Sequence, residues 1–414
     1  MSSNIASPLT DHVHDVAVVG TGPSGLVAAL ALAHKGADVV AIGPAPAASR
    51  DGRLETRTAA LLASSVDLLK ALGVWNRLAR EAAPLKSIRI IDASRSLLRT
   101  PDIEFKATEL GLPAFGYNVA NTALVEALYA RAREILPAVI PASVTAIAID
   151  GKKAVLNVRD GASLSARLVA GADGRRSVCR TSAGIGVTER HYHQSAIATH
   201  FRHSLPHGDV STELHREQGS ITTVPLPDAH ASSLIWVGSA VEIAHLIQCD
   251  DESFIAALGG RLGDILGAVS DPGPRAEFAV AGLAADRLAA RRTVLLGEAA
   301  HILPPIGAQG LNLGFRDAGA LADCVADALH RGRDPGGADA LEAYAEARRV
   351  DIMTRSLGVD LLNRSLLTSL LPLQVARGIV LHGLNMLPPL RRAVMRLGLV
   401  PPTELPSLMR PGSG

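Results

Sequence analysis

The sequence predicts an α/β protein: a Rossmann-like nucleotide-binding domain, interrupted by an antiparallel β-rich insert and followed by a helical C-terminal region. Residues 15–42 contain two uninterrupted apolar runs with a Gly-rich turn and an Ala/Leu helix between them, which is the pattern of a βαβ unit. Residues 85–110 and 190–240 alternate polar with apolar side chains and are punctuated by Pro and Gly, which is typical of antiparallel strands. From Leu341 onward the pattern is helical.

The composition is that of a continuously folded protein. The chain has 414 residues, of which 48% are hydrophobic and 20% charged, enough for two or three domains with buried cores. Its 41 Lys and Arg nearly balance its 40 Asp and Glu, which argues against a nucleic-acid-binding protein. Three widely spaced cysteines exclude a disulfide framework and a CxxC site. The polar N-terminus lacks the basic start of a signal peptide, so we expect a cytoplasmic protein.

The βαβ unit carries the first motif. Residues 16–19 form the first predicted strand, and a GxGxxG motif begins immediately after it at Gly20. Gly20 allows a tight turn, Gly22 lets the backbone approach a pyrophosphate, and Gly25 lets helix and strand pack closely. The acidic residue that commonly follows the second strand of such a unit is absent, because Gly43 stands there.

Further elements are predicted from apolar patterns. Residues 56–72 are expected to form a helix with a leucine and valine stripe on one face. Residues 167–172 and 293–297 are expected to be buried strands, and a long helix is expected to start near Asn312.

Both of these strands end in short polar motifs. Asp173 lies in the run GADGRRSVCR after the first strand, and Glu298 lies in the run LGEAAH after the second. Two prolines and a Gly-rich turn then precede the helix near Asn312. Free N–H groups at such a helix start can bind an electron-rich ring edge, and the helix dipole favours negative charge there.

A metal site is one interpretation of the many histidines. His191 and His193 share a face if they lie on a strand. No HExxH motif, cysteine or suitably spaced acid accompanies them, so we expect no metal site.

The three motifs in this order resemble the flavoprotein aromatic hydroxylases typified by para-hydroxybenzoate hydroxylase. Within that family the sequence is most similar to the ubiquinone-biosynthesis hydroxylases. The stretches that carry this likeness are 55–60, 72–75, 115–119, 192–196, 212–214, 224–227 and 235–236.

The resemblance implies a Rossmann-like FAD-binding domain with an antiparallel β-rich substrate insert and a helical C-terminal region. The FAD-binding domain is expected in three parts, 1–84, 113–186 and 285–334. The substrate domain is expected as strands in 85–112 and a β-rich body in 187–284, and the helical region is expected in 335–414.

The resemblance also implies roles for individual residues. Gly20, Gly22, Ser24 and Gly25 are expected to hold the FAD pyrophosphate. Arg57 is expected to reach the flavin nucleotide, although a solvated arginine at a helix start is the alternative. Asp173 is expected to serve FAD and NAD(P)H, and Gly297 and Glu298 the ribityl chain. Pro305 and Gln309 are the expected catalytic positions, and Gly310, Leu311 and Asn312 are expected at the pyrimidine end of the flavin.

The implied activity is hydroxylation of a polyprenylated phenol by O2, through a flavin hydroperoxide, with NAD(P)H or a reductase as electron donor. Two alternatives stay open. One is a hydroxylase of a soluble aromatic compound, and the other is a subunit of a biosynthetic complex that has kept the flavin fold and lost turnover. Glu298 in place of the family's Asp and the missing acid after the second strand keep the latter open.

The C-terminal region has its own alternatives. Residues 353–400 carry six arginines and one acid, Asp360, between apolar runs. A basic, apolar helix can lie on a membrane surface, which would place the protein at the inner face of the membrane. The same pattern fits a helical cap on the core or a contact with a partner subunit, and an oligomer stays open.

Overall fold

The computed structural model describes residues 12–46, 56–92, 102–159, 161–216, 219–305, 307–367, 387–399 and 403–412. The strands are β1 (Val13–Val19), β2 (Val39–Ile42), β3 (Thr58–Leu62), β4 (Ala83–Pro84), β5 (Ser87–Asp92), β6 (Ile103–Lys106), β7 (Gly116–Ala120), β8 (Ala138–Ile140), β9 (Val144–Asp150), β10 (Lys153–Val158), β11 (Ser163–Gly171), β12 (Val187–His203), β13 (Val210–Arg216), β14 (Gly219–Pro225), β15 (Ala231–Ser239), β16 (Val269–Ser270), β17 (Ala276–Ala285), β18 (Ala289–Ala290), β19 (Thr293–Leu295) and β20 (His301–Ile302). The helices are α1 (Pro23–His34), α2 (Ala63–Ala71), α3 (Asn121–Ile135), α4 (Val178–Ser182), α5 (Ala240–Gln248), α6 (Asp251–Leu262), α7 (Gln309–His330), α8 (Ala338–Leu367) and α9 (Pro388–Leu399).

The first sheet contains the βαβ unit. Its order is β18-β19-β11-β1-β2-β8, and β1 lies between two parallel neighbours, β2 and β11. The antiparallel pair β9-β10 extends it beside β11. The central strands are buried on both faces, which explains their uninterrupted apolar sequence.

The second sheet has nine strands in the order β20-β17-β12-β15-β14-β13-β5-β6, with β16 beside β12. All of its pairs are antiparallel except β13 with β5. This sheet is the predicted β-rich insert, and the predicted α/β fold class is confirmed. The exact domain boundaries stay a prediction.

The predicted helix over residues 56–72 is wrong in its first half. Residues Thr58–Leu62 form strand β3, which pairs antiparallel with β7, and α2 starts only at Ala63. A Cβ at Gly116 would lie 1.9 Å from the Leu61 carbonyl oxygen, so glycine lets the two strands approach. Pairing with a strand that is distant in sequence, from Thr58 with Ala120 to Leu62 with Gly116, overrides the helical pattern.

The C-terminal elements differ slightly from their predicted limits. Helix α7 begins at Gln309 instead of near Asn312, and α8 begins at Ala338. Residues 403–412 contain only a short 3-10 turn, Ser407–Met409, so the prediction of continuous helix from Leu341 is wrong there. Part of the predicted helical region, 368–386, lies outside the described residues. Among the described helices, none combines the length and the apolar character that crossing a membrane requires.

The main core lies against one face of the first sheet. Helix α1 is buried from Gly25 to Leu32 and packs on α3 and α7. Its alanines allow close helix packing, while Leu26, Leu30 and Leu32 fill the space between the helices and the sheet.

Helix α8 is joined to the first sheet by a buried tyrosine. The Tyr344 hydroxyl donates a hydrogen bond of 2.8 Å to the carbonyl oxygen of Leu295, at the end of β19. The Tyr344 side chain is completely buried, and burial raises its pKa well above the usual value.

We expect Tyr344→Phe to lower the free energy of unfolding by about 1–2 kcal/mol, because the Leu295 carbonyl loses a buried donor. The matched control is Tyr129→Phe on α3, whose hydroxyl has no hydrogen-bond partner among the described residues. Urea unfolding of both variants measures the difference. Equal losses of stability in the two variants would contradict this role of the hydroxyl.

Candidate functional site

The Gly-rich turn lies at the carboxyl end of β1. Gly20 has φ +115°, and a Cβ there would lie 2.2 Å from the Ala172 carbonyl oxygen. A Cβ at Gly25 would lie 1.9 Å from the Gly20 carbonyl oxygen. Gly22 differs from both, because it is exposed and a Cβ there would meet no atom within 4 Å. The protein therefore needs two of the glycines for its own packing and leaves open space over the third.

Gly22 is also the N-cap of α1, and no side chain caps the helix. Pro23 follows and has no N–H, so the free donors of this helix start are those of Ser24 and Gly25. A helix start of this kind is a binding site for phosphate.

Ser24 brings the first and third motifs together. A Cβ at Gly297 would lie 2.9 Å from the Ser24 Oγ, and a Cβ at Gly314 would lie 2.4 Å from the same atom. Both glycines thus let their backbones reach the Ser24 side chain. The start of α1, the turn at Gly297 and the first turns of α7 meet at this one side chain.

The Asp173 carboxylate is used within its own loop. Its Oδ1 accepts a hydrogen bond of 2.5 Å from the Ser177 hydroxyl, and its Oδ2 accepts one of 3.0 Å from the Cys179 N–H. Asp173 therefore stabilises the loop that leads into α4, directly beside the Gly-rich turn.

Arg180 links this loop to the third motif. Its guanidinium donates to the Ala299 carbonyl oxygen at 2.9 Å and to the Arg175 carbonyl oxygen at 2.7 Å. The arginine is buried, so the second and third motifs are held at a fixed separation. In the sequence Arg180 stands out only as the last residue of the run GADGRRSVCR.

Glu298, unlike the buried Arg180, faces solvent. The turn Gly297–Ala299 is buried on both sides of it, while Glu298 itself is exposed. Its carboxylate makes no hydrogen bond or ion pair with any residue that the structure describes. Of the two predicted acidic ligands, Glu298 is therefore the one with both oxygens free.

The Asn312 side chain is fully occupied within the protein. Its Oδ1 accepts from the Leu62 N–H at 2.9 Å and from the Ser65 hydroxyl at 2.7 Å. Its Nδ2 donates to the carbonyl oxygens of Ala60, at 2.9 Å, and Ala308, at 2.6 Å. The side chain ties the start of α7 to β3 and α2, so it has no polar atom left for a ligand.

The start of α7 is open. Ala308 precedes it with φ +53°, and no side chain caps the helix. Gly310 is exposed, and a Cβ there would meet nothing within 4 Å. Leu311 and Pro305 are half-buried. The start of α7 therefore has no side-chain cap and has open space beside Gly310, as the start of α1 has beside Gly22.

Two predicted residues need separate mention. Gln309 is half-buried, and its side-chain amide donates to the Gly307 carbonyl oxygen at 2.9 Å. Arg57 is exposed and follows Thr56, whose hydroxyl donates to the Ala198 carbonyl oxygen on β12 at 3.1 Å. Arg57 thus lies between a residue bonded to the second sheet and the start of β3, and its role stays a prediction.

A buried carboxylate that sequence reasoning missed supports the third motif. Asp317 Oδ2 accepts from the Gly297 N–H at 3.0 Å and lies 2.6 Å from His301 Nε2. Asp317 Oδ1 accepts from Arg348 Nε at 2.7 Å. Burial raises the pKa of Asp317, but His301 and Arg348 outweigh it and hold the pKa well below its ordinary value. The sequence could not identify Asp317 because its role depends on the packing of α8 on α7, which no local pattern records.

The histidines considered for a metal site do not cluster. His191 and His193 are exposed on β12. Elsewhere, His12 Nε2 and His14 Nδ1 lie 2.6 and 3.0 Å from Asp38 Oδ2, and these three side chains could share a metal ion. They lie at the opposite end of β1 from the Gly-rich turn.

Comparisons with known proteins agree with this geometry. The FAD binding domain family matches residues 13–355. The chain is 35% identical over 410 residues to "Ubiquinone hydroxylase UbiL" of Rhodospirillum rubrum, covering 97% of this chain and 93% of that protein. It is 31% identical over 398 residues to "3-demethoxyubiquinol 3-hydroxylase" of Escherichia coli, covering 94% and 100%.

Among solved structures, p-nitrophenol 4-monooxygenase from Pseudomonas putida superposes with a TM-score of 0.75 over 95% of this chain and 100% of that one. At 20% identity this likeness concerns the fold alone. The family match confirms the prediction that FAD is the cofactor. The family match and the two relatives confirm the predicted family. Because the match spans most of the chain and both relatives are hydroxylases by name, the chain belongs to the FAD binding domain family and is a flavin-dependent monooxygenase.

Proposed function

We propose that the protein hydroxylates a polyprenylated phenol in ubiquinone biosynthesis, using FAD and O2 with NAD(P)H or a reductase as electron donor. The observation that carries this proposal is the meeting of three backbones at Ser24: the open start of α1, the Gly297 turn that presents the exposed Glu298, and α7 at Gly314, within two turns of its open start. The relatives named as ubiquinone hydroxylases, which align over nearly the whole chain, support the substrate class.

The residues present fit FAD. In the proposal the N–H groups of Ser24 and Gly25 bind the pyrophosphate, and the open space over Gly22 admits it. Glu298, exposed and without a partner among the described side chains, binds the hydroxyls of the ribityl chain. The main chains of Gly310, Leu311 and Asn312 bind the pyrimidine end of the ring.

The chemistry divides between cofactor and protein. When bound, FAD supplies the activation of O2 and the transfer of a hydroxyl group to the aromatic ring. The first N–H groups and the dipole of α7 would favour negative charge on a ring bound there, and the four hydrogen bonds of Asn312 hold that helix start in place. Pro305 restricts the backbone beside the ring, as its fixed φ requires.

The absence of an acid after β2 has a local explanation. A Cβ at Gly43 would lie 2.5 Å from the Thr21 Oγ1, and that hydroxyl donates to the Pro44 carbonyl oxygen at 2.5 Å. Thr21 therefore occupies the space beside this position. In the proposal ribose is held by main-chain groups, and the missing acid does not argue for lost turnover.

In the proposal the protein is cytoplasmic and contacts the inner face of the membrane. Helix α9 supports this location. Met395 anchors α9 against Phe105. On another face of α9, three exposed apolar side chains recur at helical spacing: Leu390, Val394 and Leu397. The helix also carries Arg392. An exposed apolar stripe with basic neighbours fits peripheral contact with anionic lipid, and a biosynthetic complex is the alternative partner.

Gly22→Val tests the pyrophosphate site. Because a side chain at Gly22 meets no protein atom, we expect the variant to fold and to lose FAD. Loss of two charge-assisted hydrogen bonds, at about 1.5 kcal/mol each, corresponds to roughly 100-fold weaker binding. Flavin content and FAD titration measure it. Gly260→Val, at an exposed and equally open position on α6, is the control. Full flavin content in Gly22→Val would overturn the site.

Glu298→Gln tests the ribityl ligand. We expect FAD affinity to fall by about 1–3 kcal/mol, because a charge-assisted hydrogen bond becomes a neutral one. Turnover at saturating FAD should change little. FAD titration followed by steady-state oxygen uptake separates the two effects, with Glu342→Gln, exposed on α8, as control. Unchanged affinity with a large loss of turnover would instead make Glu298 a catalytic acid.

A chain-length series tests the substrate. Phenols that carry zero, one, two or three isoprene units are compared by NAD(P)H-coupled oxygen uptake, or by product formation with a supplied reductase. Each buried methylene contributes about 0.8 kcal/mol, so efficiency should rise with length until the cavity is full. Best activity with an unprenylated compound would favour a soluble aromatic substrate.

A further inference from the structure

Helix α8 presents three buried charged side chains on one face. Arg348, Asp351 and Arg355 follow at intervals of three and four residues, which places them in a row along the helix. Their exposed fractions are 2%, 0% and 8%. Buried charges of this kind are costly unless they are paired, so their partners indicate what the row does.

The first end of the row reaches the Glu298 turn. Arg348 donates to Asp317 at 2.7 Å, and the other oxygen of Asp317 accepts from the Gly297 N–H at 3.0 Å. The position of Gly297 is thus set by α8 through one carboxylate.

Asp351 joins the two ends of the row. Its Oδ2 lies 2.9 Å from Arg348 Nη2, and its Oδ1 accepts from Arg355 Nε at 3.0 Å. Arg316 on α7 adds a third guanidinium, with Nε 3.3 Å from Asp351 Oδ2. Because burial opposes its charge, the pKa of Arg316 is lowered to about 9, so it is cationic at neutral pH.

The second end of the row reaches the start of α7. Arg355 Nη1 donates to the Gln309 side-chain oxygen at 2.6 Å and to the Gly398 carbonyl oxygen on α9 at 3.0 Å. One guanidinium therefore connects α8 with the first residue of α7 and with the C-terminal helix.

We propose that this row of charged side chains on α8 positions the stretch that carries Glu298 and Pro305. Gly297 and Gln309 are the two ends of that stretch, and the row holds both. Arg355 is the positioning residue for Gln309 and the open start of α7. The inference rests on the proposed placement of FAD.

The charge of the row has a consequence for the cofactor. The guanidiniums of Arg316, Arg348 and Arg355 face the carboxylates of Asp317 and Asp351, and the His301 imidazole also lies on Asp317, so the cationic groups outnumber the carboxylates. This buried group lies on the protein side of the start of α7, and that helix start is the one proposed to face the flavin. The excess charge favours a negatively charged reduced flavin over the neutral oxidised one.

The first test needs no cofactor. In the FAD-free protein, amide hydrogen exchange of residues 307–312 is compared in the wild type, Arg355→Gln, Arg355→Lys and Gln309→Leu. We expect at least tenfold faster exchange in Arg355→Gln and Gln309→Leu, and an intermediate rate in Arg355→Lys. The control is Arg349→Gln, an exposed neighbour on the same helix, which should exchange as the wild type does. Wild-type exchange in both Arg355→Gln and Gln309→Leu would overturn the proposal.

The second test uses the FAD-loaded protein. Arg355→Gln removes charge and contact, whereas Arg355→Lys keeps the charge. We expect the flavin midpoint potential to fall in Arg355→Gln and to stay near the wild-type value in Arg355→Lys. Both variants should release several-fold more hydrogen peroxide per hydroxylated product, because the ring is less well placed. If Arg355→Gln fails to fold, the Lys and Gln309→Leu variants decide. A wild type that binds no FAD would refute the proposed function, while the exchange experiment would still test the positioning.

Discussion

The carboxylate of Asp317 is the interaction on which the arrangement of the site depends. It is completely buried and is shared by the Gly297 N–H and the His301 imidazole, from one stretch of chain, and by the Arg348 guanidinium from helix α8. A buried charge with these partners fixes the distances between them, because leaving any one of them unpaired costs several kcal/mol. The turn at Gly297, helix α7 and helix α8 are therefore positioned as one unit.

Glycines let the backbones of this unit approach one another closely. Gly297 and Gly314 both approach the Ser24 side chain, and Gly25 approaches the Gly20 carbonyl, at distances that a Cβ would not permit. Where the backbone is not pressed against another segment, as at Gly22, the same small residue leaves space for a ligand. One residue type thus serves packing and access, and only the geometry separates the two uses.

The sequence predicts what is determined locally. The βαβ unit, the Gly-rich turn and the long helix after Glu298 follow from apolar runs and turn residues within 30 positions, and the structure contains all three. The predicted helix at 56–72 fails because its first half pairs with β7, a contact that no local pattern records. The contribution of α8 was missed for the same reason: Arg348 meets Asp317 from 31 positions away, and the spacing of charges on α8 is equally typical of a solvated helix.

Some polar side chains of the motifs bond only within the protein, whereas others are free to contact a ligand. Asp173 and Asn312 stand within motifs expected to bind FAD, yet their side chains bond to their own loop and to neighbouring strands. A buried amide with four satisfied hydrogen bonds has nothing left to offer a ligand, so what it contributes is a rigid main chain. In the proposed site, ligand contact then falls to main-chain N–H groups and to the exposed Glu298. Electrostatic stabilisation is effective when the donors are fixed before the charge develops, and side chains that bind only protein are how this chain fixes them.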